Sequence, residues 1–217
     1  MLSQRILVEF ANSKEPSDQS RIVVNVIQRL IPREFYERDP ETVARGLLGK
    51  RMIRKLGKKA FEGVIVETEA YFGPEDPASR AHHGRKEYNE AMWGEPGALF
   101  IYNVHKYWML NVVAHRLGMV GAVLIRALEP TRGMEIMKAN REAKDLTELT
   151  NGPGKLTEAL RISKDLNSAD VTLNTSQVAF ADNEMSFEIE SSHRIGVTED
   201  LKKKLRFFIK GNDYVSR

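Results

Sequence analysis

The feature that most constrains this chain is the segment from Gly63 to Asp76. It begins with three consecutive β-branched residues, Val64–Val66, which favour a buried strand, and it ends at a Gly-Pro turn. Because side chains alternate along an extended strand, Glu67, Glu69 and Tyr71 should lie on one face. A carboxylate beside an aromatic ring, at the rim of a sheet, suits a site that holds a flat ring and activates a water molecule.

Two glutamates near the end of a strand more often face solvent, so their spacing alone does not define a catalytic site. At positions i and i+2 of a strand, Glu67 and Glu69 would lie roughly 6.5–7 Å apart. That separation is compatible with the carboxylate pair of an inverting glycosidase. Residues elsewhere in the chain decide between these interpretations.

The composition limits the classes of protein to which the chain can belong. Its 217 residues suit one domain with a sizeable core, and the absence of cysteine excludes disulfides, thiol nucleophiles and zinc–thiolate sites. No apolar run is long enough to span a membrane, and the first residues do not form a signal peptide. We therefore expect no membrane partner and a cytoplasmic, nucleoid-associated protein of a prokaryote, with a nuclear location left open. The net charge of +3 is only weak support for nucleic-acid binding.

Turn signals and apolar patterns predict an α+β fold. We expect a single domain with a curved, largely antiparallel sheet and a few flanking helices over residues 33–217, preceded by an N-terminal extension, residues 1–32. One helix should begin after Asp39 and stop at Gly49, and Thr131 should cap another that runs to about Ala143. The expected strands are 51–56, 98–105, 107–113, 122–130, 186–190, 194–197 and 205–211.

A polar loop with several cations follows the central strand. Residues 75–95 include Arg80, His82 and His83. Adjacent histidines rarely bind one ion together, and the HExxH spacing does not occur, so we expect no metal site. A cationic loop beside a carboxylate and an aromatic ring is better suited to phosphate groups.

Two further features indicate a buried ion pair and an anionic ligand. Arg126 stands within an apolar strand, and a buried guanidinium needs an acceptor, for which Glu69, Glu129 and a carbonyl oxygen all remain open. The glycine-rich loop 151–155 ends in Lys155 and precedes a short helix, so its N–H groups and ammonium suit an anion. It is not a Walker A loop, because the GxxxxGK[ST] pattern does not occur.

Five segments of the chain together resemble one enzyme family. In chain order they read Val-Glu-Thr-Glu-Ala-Tyr, Gly-Pro-Glu-Asp, Arg-Ala-Leu-Glu-Pro, Asn-Gly-Pro-Gly-Lys-Leu and Leu-Arg-Phe-Phe-Ile-Lys-Gly, at residues 66–71, 73–76, 126–130, 151–156 and 205–211. They resemble the alkyladenine (3-methyladenine) DNA glycosylases of the mammalian methylpurine type, from about residue 40 to the C-terminus. Such enzymes flip a damaged nucleotide out of the duplex, stack the base between aromatic rings and hydrolyse the N-glycosidic bond.

The resemblance implies a role for each matching residue. Glu69 would be the general base that activates water, and Arg126 its partner, which orients the carboxylate and the water. Tyr71 and Tyr102 would be walls of the base pocket, and Asn111 would oppose the exocyclic amino group of normal guanine. The remaining matches are the backbone at Ile195, which corresponds to a carbonyl that touches the water in the family, and two phosphate-contacting positions, Lys155 and Lys164.

Two positions depart from the family pattern. Arg80 stands where relatives have a histidine. In the family this position also donates its backbone N–H to the flipped base, and Arg80 can retain that contact, but the contact of the side chain with the base changes. The segment after Tyr102 is one residue shorter than the family pattern, so Val104 or His105 would act as the wedge that fills the gap left in the duplex. We expect 3-methyladenine and 7-methylguanine as substrates, while these changes put hypoxanthine and ethenoadenine in question.

The expected protein is therefore a monomeric, monofunctional glycosylase, without cofactor or lyase activity, that acts on double-stranded DNA containing damaged purines. Two alternatives stay open. One is a nucleic-acid binding module in which Arg80 and the altered wedge have abolished excision, although retention of Glu69 and Arg126 argues against it. The other is a hydrolase acting on something other than DNA through Glu67 and Glu69, which leaves the basic loop and the lysines unexplained.

Overall fold

The computed structural model describes residues 5–6 and 28–216. Most of the expected extension, residues 1–32, lies outside the described residues, and near its end Leu30 and Ile31 are buried. Within the described part of the chain, no helix is both long and apolar enough to cross a bilayer. The fold is a single α+β domain with a curved antiparallel sheet and a few helices, which confirms the predicted fold class.

The regular elements of the described residues are as follows. The strands are β1 (Arg5–Ile6), β2 (Gln28–Arg29), β3 (Arg51–Leu56), β4 (Lys59–Tyr71), β5 (Leu99–Val104), β6 (Tyr107–Val113), β7 (Ala122–Arg132), β8 (Val178–Ala181), β9 (Ile189–Ser192) and β10 (Arg206–Ile209). The α-helices are α1 (Arg33–Tyr36), α2 (Pro40–Leu47), α3 (Met134–Asn140) and α4 (Pro153–Ala159), and 3₁₀ turns lie at Glu87–Trp93, Thr147–Leu149 and Lys164–Leu166.

The strand β4 organises the main sheet. The sheet has the order β5-β6-β7-β4-β10-β9, with β3 pairing to both β4 and β8, while β1 and β2 form a separate pair. One edge of β4 pairs with β7, and the other pairs first with β3 and then with β10. Neighbours therefore cover both edges of β4, and the side chains of Glu67 and Glu69 are fully buried. The register with β7 shifts beside Glu67, and such bulges often re-aim side chains near functional sites.

The two faces of β4 have different partners. Thr68 faces α2, since its hydroxyl donates a hydrogen bond of 2.9 Å to the Ala44 carbonyl. Glu67, Glu69 and Tyr71 point to the opposite face, as the period of two predicts. The helix α2 therefore covers the back of the strand that carries the acidic residues.

The helix α2 forms where its start signal and apolar stripe predict it. The Asp39 carboxylate accepts from the Thr42 N–H at 3.0 Å, and proline occupies the first helical position. Val43, Ala44 and Leu47 are fully buried against the sheet. Truncation of Leu47 to alanine would cost about 2–5 kcal/mol, as in other packed cores.

The predicted helix start at Thr131 is wrong. Thr131 is the penultimate residue of β7, which stays paired to β4 as far as the Arg132–Glu62 pair. The chain leaves the sheet at Gly133, whose φ of 83° and close approach to the Ala60 carbonyl disfavour any side chain. Strand pairing has therefore overridden a local capping signal, and α3 is shorter than predicted.

Two other local predictions need correction. The expected strand 194–197 is a loop, because the Arg194 side chain turns inward to acidic partners and Gly196 has a φ of 75°. The expected loop 151–155 is already helical from Pro153, a residue that suits the first helical position. At Gly154 a Cβ atom would lie 2.8 Å from the Tyr107 ring, so that glycine serves packing rather than an open anion site.

Candidate active site

Glu69 is fully buried and held by donors from three elements. The Tyr71 hydroxyl donates to its Oε2 at 2.8 Å, and the Ile195 backbone N–H donates to its Oε1 at 2.8 Å. The Arg126 guanidinium lies 3.2 Å from the same Oε1. Such contacts fix the carboxylate in one orientation.

Arg126 bridges both glutamates of β4. Its Nε donates to Glu67 Oε1 at 2.8 Å, in addition to the contact with Glu69. Glu129, which spacing left open as a partner, instead accepts from the Asn212 amide. Burial disfavours a charged guanidinium, but the two carboxylates outweigh it and raise the pKa of Arg126 above its usual value.

Glu67 is the centre of a buried network that reaches the C-terminal segment. Besides Arg126, it accepts from Arg206 Nε at 2.6 Å, and from the Ser216 backbone N–H and hydroxyl at 2.7 and 2.8 Å. The Ser216 hydroxyl in turn accepts from Arg126 Nη2 at 3.1 Å. The sequence reasoning missed Arg206 and Ser216. An arginine inside an apolar strand was the available signal for Arg206, as it was for Arg126.

A cavity of about 680 Å³ opens above this network, and we call it the front cavity. Ligand sites commonly have volumes of about 300–1,000 Å³. Glu69 lies beneath its floor, because its partners reach the cavity while it is fully buried itself. The predicted site residues that line it are Tyr71, Arg80, Tyr102, Val104, Arg126 and Ile195.

The two predicted wall tyrosines are neutral phenols. Burial, and then the nearby Glu69 charge, raise the pKa of Tyr71 well above its usual value. Burial likewise raises the pKa of Tyr102, although the charge of Arg80 acts against it. Tyr102 packs on Phe100 with ring centres 5.0 Å apart. Two uncharged aromatic walls are suitable for stacking a purine.

Arg80 covers one face of the Tyr102 ring. Its guanidinium carbon lies 4.6 Å from the ring centre, and its backbone carbonyl accepts from the Asn89 amide at 2.6 Å. His82, two residues further along the loop, has its Nδ1 2.8 Å from the Pro74 carbonyl oxygen. His82 lines the front cavity in that position, while Arg80 occupies the place next to Tyr102.

Asn111 lies next to the base-pocket tyrosines but deeper in the protein. Its Nδ2 donates to the Phe100 and Met109 carbonyls at 3.0 and 3.1 Å, so both amide hydrogens are used. The residue borders a small pocket together with Tyr71, Tyr102 and Arg80. The orientation of its amide is therefore fixed at the inner end of the predicted base pocket.

The two candidate wedge residues lie at a hairpin tip. Val104 pairs with Tyr107 at the ends of β5 and β6, and His105-Lys106 forms the two-residue loop. His105 is exposed and has a φ of 52°, a region that non-glycine residues seldom adopt. Val104 lines the front cavity, so the tip projects beside its mouth.

The structure does not bring the two predicted phosphate-binding lysines together at the front cavity. Lys155 on α4 donates to the Asn151 side chain at 2.8 Å. Lys164 lines a second cavity of about 630 Å³, the side cavity, which shares Arg80, Tyr88 and Tyr102 with the front cavity. Lys203, in the lysine run before β10, instead lies near Phe72 and Glu41 on the α2 face of β4.

Comparisons with known proteins agree on one family. The model of the methylpurine-DNA glycosylase (MPG) family matches residues 34–213. Proteins with the curated name "Putative 3-methyladenine DNA glycosylase" are similar over most of their length. One from Aeropyrum pernix is 41% identical over 192 residues, which cover 87% of this chain and 94% of the relative. One from Carboxydothermus hydrogenoformans is 40% identical over 190 residues, covering 87% and 99%.

The family match covers most of the described residues. A further relative of the same name, from Staphylococcus saprophyticus, is 38% identical over 188 residues that cover 85% of this chain and 92% of the relative. All five motif segments of the sequence fall inside the matched range. The chain therefore belongs to the methylpurine-DNA glycosylase family.

Proposed function

We propose that this DNA glycosylase excises alkylated purines from duplex DNA and leaves an abasic site. The observation that carries the proposal is a buried, multiply hydrogen-bonded carboxylate, Glu69, directly beneath a cavity with two aromatic walls. An aromatic slot holds a flipped base, and an ionised carboxylate beside it can activate water.

In the proposed reaction Glu69 takes a proton from a water molecule near Ile195 and Arg126. The water oxygen bonds to the anomeric carbon of the sugar while the N-glycosidic bond breaks and its electron pair leaves with the purine. A purine alkylated at N3 or N7 carries a positive charge, so it leaves as a neutral base and needs no added proton. The Arg126 contact fixes the direction of the Glu69 carboxylate.

Base recognition is assigned to the walls and inner end of the front cavity. Tyr71 and Tyr102 stack on the flipped purine, and stacking on aromatic side chains is worth about 1–3 kcal/mol per base. Asn111, at the inner end, opposes the exocyclic amino group of guanine. Neutral lesions such as hypoxanthine are poorer leaving groups, so we propose that they react more slowly than 3-methyladenine and 7-methylguanine.

DNA contacts outside the pocket are assigned to the surrounding surface. Val104 and His105, at the hairpin tip, fill the gap that the flipped nucleotide leaves in the duplex. Lys164 and Lys155 contact backbone phosphates on either side of the flipped nucleotide. Phosphate contacts of this type contribute affinity that falls as salt rises.

The geometry argues against the pair of glutamates as an inverting glycosidase. Both glutamates are fully buried, but all three partners of Glu69 line the front cavity. Glu67 would have to act on water or on the leaving group there, yet its oxygens accept four hydrogen bonds, and of the donors only Arg126 lines the cavity. Its role is to fix Arg126 and Arg206. One carboxylate, Glu69, is left to activate water.

The proposal is tested with short duplexes that contain a single 7-methylguanine, a single hypoxanthine, or normal guanine at the same position. Each is incubated with the protein and then treated with alkali, which cleaves the strand at abasic sites. We expect cleavage at 7-methylguanine, slower cleavage at hypoxanthine and none at guanine. Tight binding of the damaged duplexes without any cleavage would show a binding module and overturn the proposed reaction.

A further inference from the structure

Arg194 is a buried arginine that the proposed reaction does not yet use. Its side chain is fully shielded from solvent, and all five of its N–H groups have acceptors. Two nitrogens bind the two oxygens of Asp76 at 2.6 and 2.7 Å, and Asp200 and the Ala70 carbonyl take the other hydrogens. Burial opposes the charge, but Asp76 and Asp200 raise the pKa of Arg194 above its usual value.

Arg194 holds together the two ends of the loop at residues 195–199, whose first residue donates its N–H to Glu69. The 195–199 loop lines the front cavity, and the Arg194–Asp200 pair joins its two ends. Ile195, the first residue of the loop, donates its N–H to Glu69. Among the described residues, the backbone of 196–199 makes no hydrogen bond that would hold the loop otherwise. Two other restraints act on the loop: the Arg194 backbone N–H donates to Asp200 at 3.2 Å, and Val197 packs against the apolar cluster that contains Tyr71. The Arg194 side chain adds five hydrogen bonds to these, so it is the main restraint on the position of the Ile195 N–H.

The same guanidinium supports a wall of the base pocket from behind. Its central carbon lies 4.6 Å from the centre of the Tyr71 ring, which lines the front cavity. A guanidinium at this distance attracts an aromatic face. The Ala70 carbonyl that Arg194 binds belongs to the same strand, so the end of β4 is fixed at two points.

Through Asp76, Arg194 also fixes the loop that carries Arg80. The Asp76 oxygens accept from the backbone N–H groups of Phe72 and Ala78 at 3.0 and 3.1 Å, which shapes the turn after β4. One buried cation thus connects the end of β4, the turn after it and the 195–199 loop. These are the segments that carry Tyr71, Arg80 and Ile195.

We propose that Arg194 is a positioning residue of the excision reaction, which sets the Ile195 N–H on Glu69 and supports Tyr71; this inference rests on the function proposed above. It touches neither the base nor the water. Its effect is on the orientation of the carboxylate and the wall, so it acts on the rate of the chemical step more than on DNA affinity.

The kinetic test compares Arg194→Met and Arg194→Lys with a matched control, Arg54→Met. Arg54 is as buried as Arg194, but it lies in β3, where it binds Gln177 and backbone carbonyls outside both cavities. With 7-methylguanine duplex and saturating enzyme, Arg194→Met should lower the single-turnover rate constant about 100-fold. The Kd for the duplex should change by less than about threefold.

The conservative variant separates positioning from simple loss of stability. Lysine keeps the charge but cannot reach both carboxylates with a planar fork, so Arg194→Lys should recover only part of the lost rate. Arg54→Met should lower stability yet keep the wild-type rate constant below its melting temperature. A folded Arg194→Met protein with an unchanged rate constant, or with the same change as Arg54→Met, would overturn the inference.

A second measurement does not depend on excision. Hydrogen exchange of the Ile195 amide, followed by NMR, reports whether its N–H still binds Glu69. We expect protection to fall at least about tenfold in Arg194→Met and to remain in Arg54→Met. A wild-type protein that excised nothing would contradict the proposed function, but it would leave the role of Arg194 in holding the Ile195 N–H open to this test. Unchanged protection in Arg194→Met would overturn the inference whichever way excision turned out.

Discussion

The floor of the front cavity and its rim differ in how their charged groups are held. On the floor, Glu67, Glu69 and Arg126 are buried in adjacent strands, and each has several partners of opposite charge or with hydrogen-bonding groups. On the rim, Arg80 and His105 are exposed and sit on a loop and a hairpin tip. The charged side chains of the floor are therefore held in fixed positions, while the exposed side chains of the rim are able to adjust to a ligand.

We infer from this difference that the floor activates water and that the rim selects which damaged base is excised. A carboxylate that must activate water needs a fixed direction, which rigid strands and their paired side chains provide. A surface that must accept several lesions benefits from exposed side chains on loops, even where, as for Arg80, a buried ion pair fixes the loop from behind. Changes on the floor should therefore abolish the reaction, and changes on the rim should alter its preferences.

The largest effect is expected on the floor, from Arg126→Met. This change leaves Glu67 and Glu69 buried without their shared cation, and such a loss typically costs about 3–5 kcal/mol. We expect the free energy of unfolding in urea to fall by that amount and excision to be lost. A decrease below about 1 kcal/mol would show that Arg206 and Ser216 are enough to compensate the carboxylates.

A smaller effect that depends on pH is expected from Asp200→Asn, beside the floor. Partial burial opposes ionisation of Asp200, but hydrogen bonds and charge from Arg194 outweigh it and lower its pKa. An aspartate whose pKa is lower in the folded state than in the unfolded state stabilises the fold. This contribution is complete at pH values above the unfolded-state pKa, about 3.9, and it disappears as the pH falls through the lower, folded-state pKa. The free energy of unfolding of the wild type should therefore exceed that of the variant by about 1–2 kcal/mol at pH 7.

The pH series provides the check on that prediction. The difference in free energy of unfolding between wild type and Asp200→Asn should stay constant from pH 7 to about pH 5 and shrink toward zero below about pH 4. A difference that is independent of pH down to pH 2 would show that the charge of Asp200 is not what stabilises the fold.

In the side cavity, which adjoins the rim through Arg80 and Tyr102, Lys164→Gln tests a single phosphate contact. Its exposed ammonium lines the side cavity, so removing it should lower the slope of log K against log salt for duplex DNA by about 1. Lys203→Gln is the control, because Lys203 lies on the α2 face of β4. Equal slopes of log K against log salt for the two variants would show that Lys164 does not contact a DNA phosphate.

The smallest effect on stability is expected from Arg80→Ala. Exposed substitutions of this kind usually change the free energy of unfolding by no more than about 0.5 kcal/mol. A guanidinium beside the base disfavours a positively charged purine, so its removal should raise excision of 7-methylguanine relative to hypoxanthine about two- to threefold. A ratio that moves the other way would assign Arg80 a contact that favours charged bases.

The pattern of β4 was enough to predict which of its side chains share a face. Alternation alone places Glu67, Glu69 and Tyr71 together, whereas the apolar strand around Arg126 required an acceptor but left Glu69, Glu129 and a carbonyl oxygen open. Arg206 carried the same local signal as Arg126, an arginine inside an apolar strand, but the signal did not say which carboxylate it would bind. Ser216 and Arg194 carried no such signal, because their positions depend on how the C-terminal segment and the 195–199 loop return to β4. No local pattern encodes contacts between residues separated by more than a hundred positions.

The wrong local predictions have the same origin. Thr131 has the chemistry of a helix cap, but β7 continues through it because β4 offers strand pairing as far as Glu62. Arg194–Val197 alternates like a strand, yet the buried ion pairs of Arg194 turn the chain into a loop. Tertiary contacts have outweighed local propensity at each of these points.

We propose that Glu69 activates water and contributes nothing favourable to DNA binding. The most direct test measures both the single-turnover excision rate and the Kd for a 7-methylguanine duplex in wild type and Glu69→Gln. We predict that excision falls about 100- to 10,000-fold, as for the loss of a general base, while the Kd is unchanged or slightly lower. Equal losses of excision and binding, or excision that persists, would contradict the account.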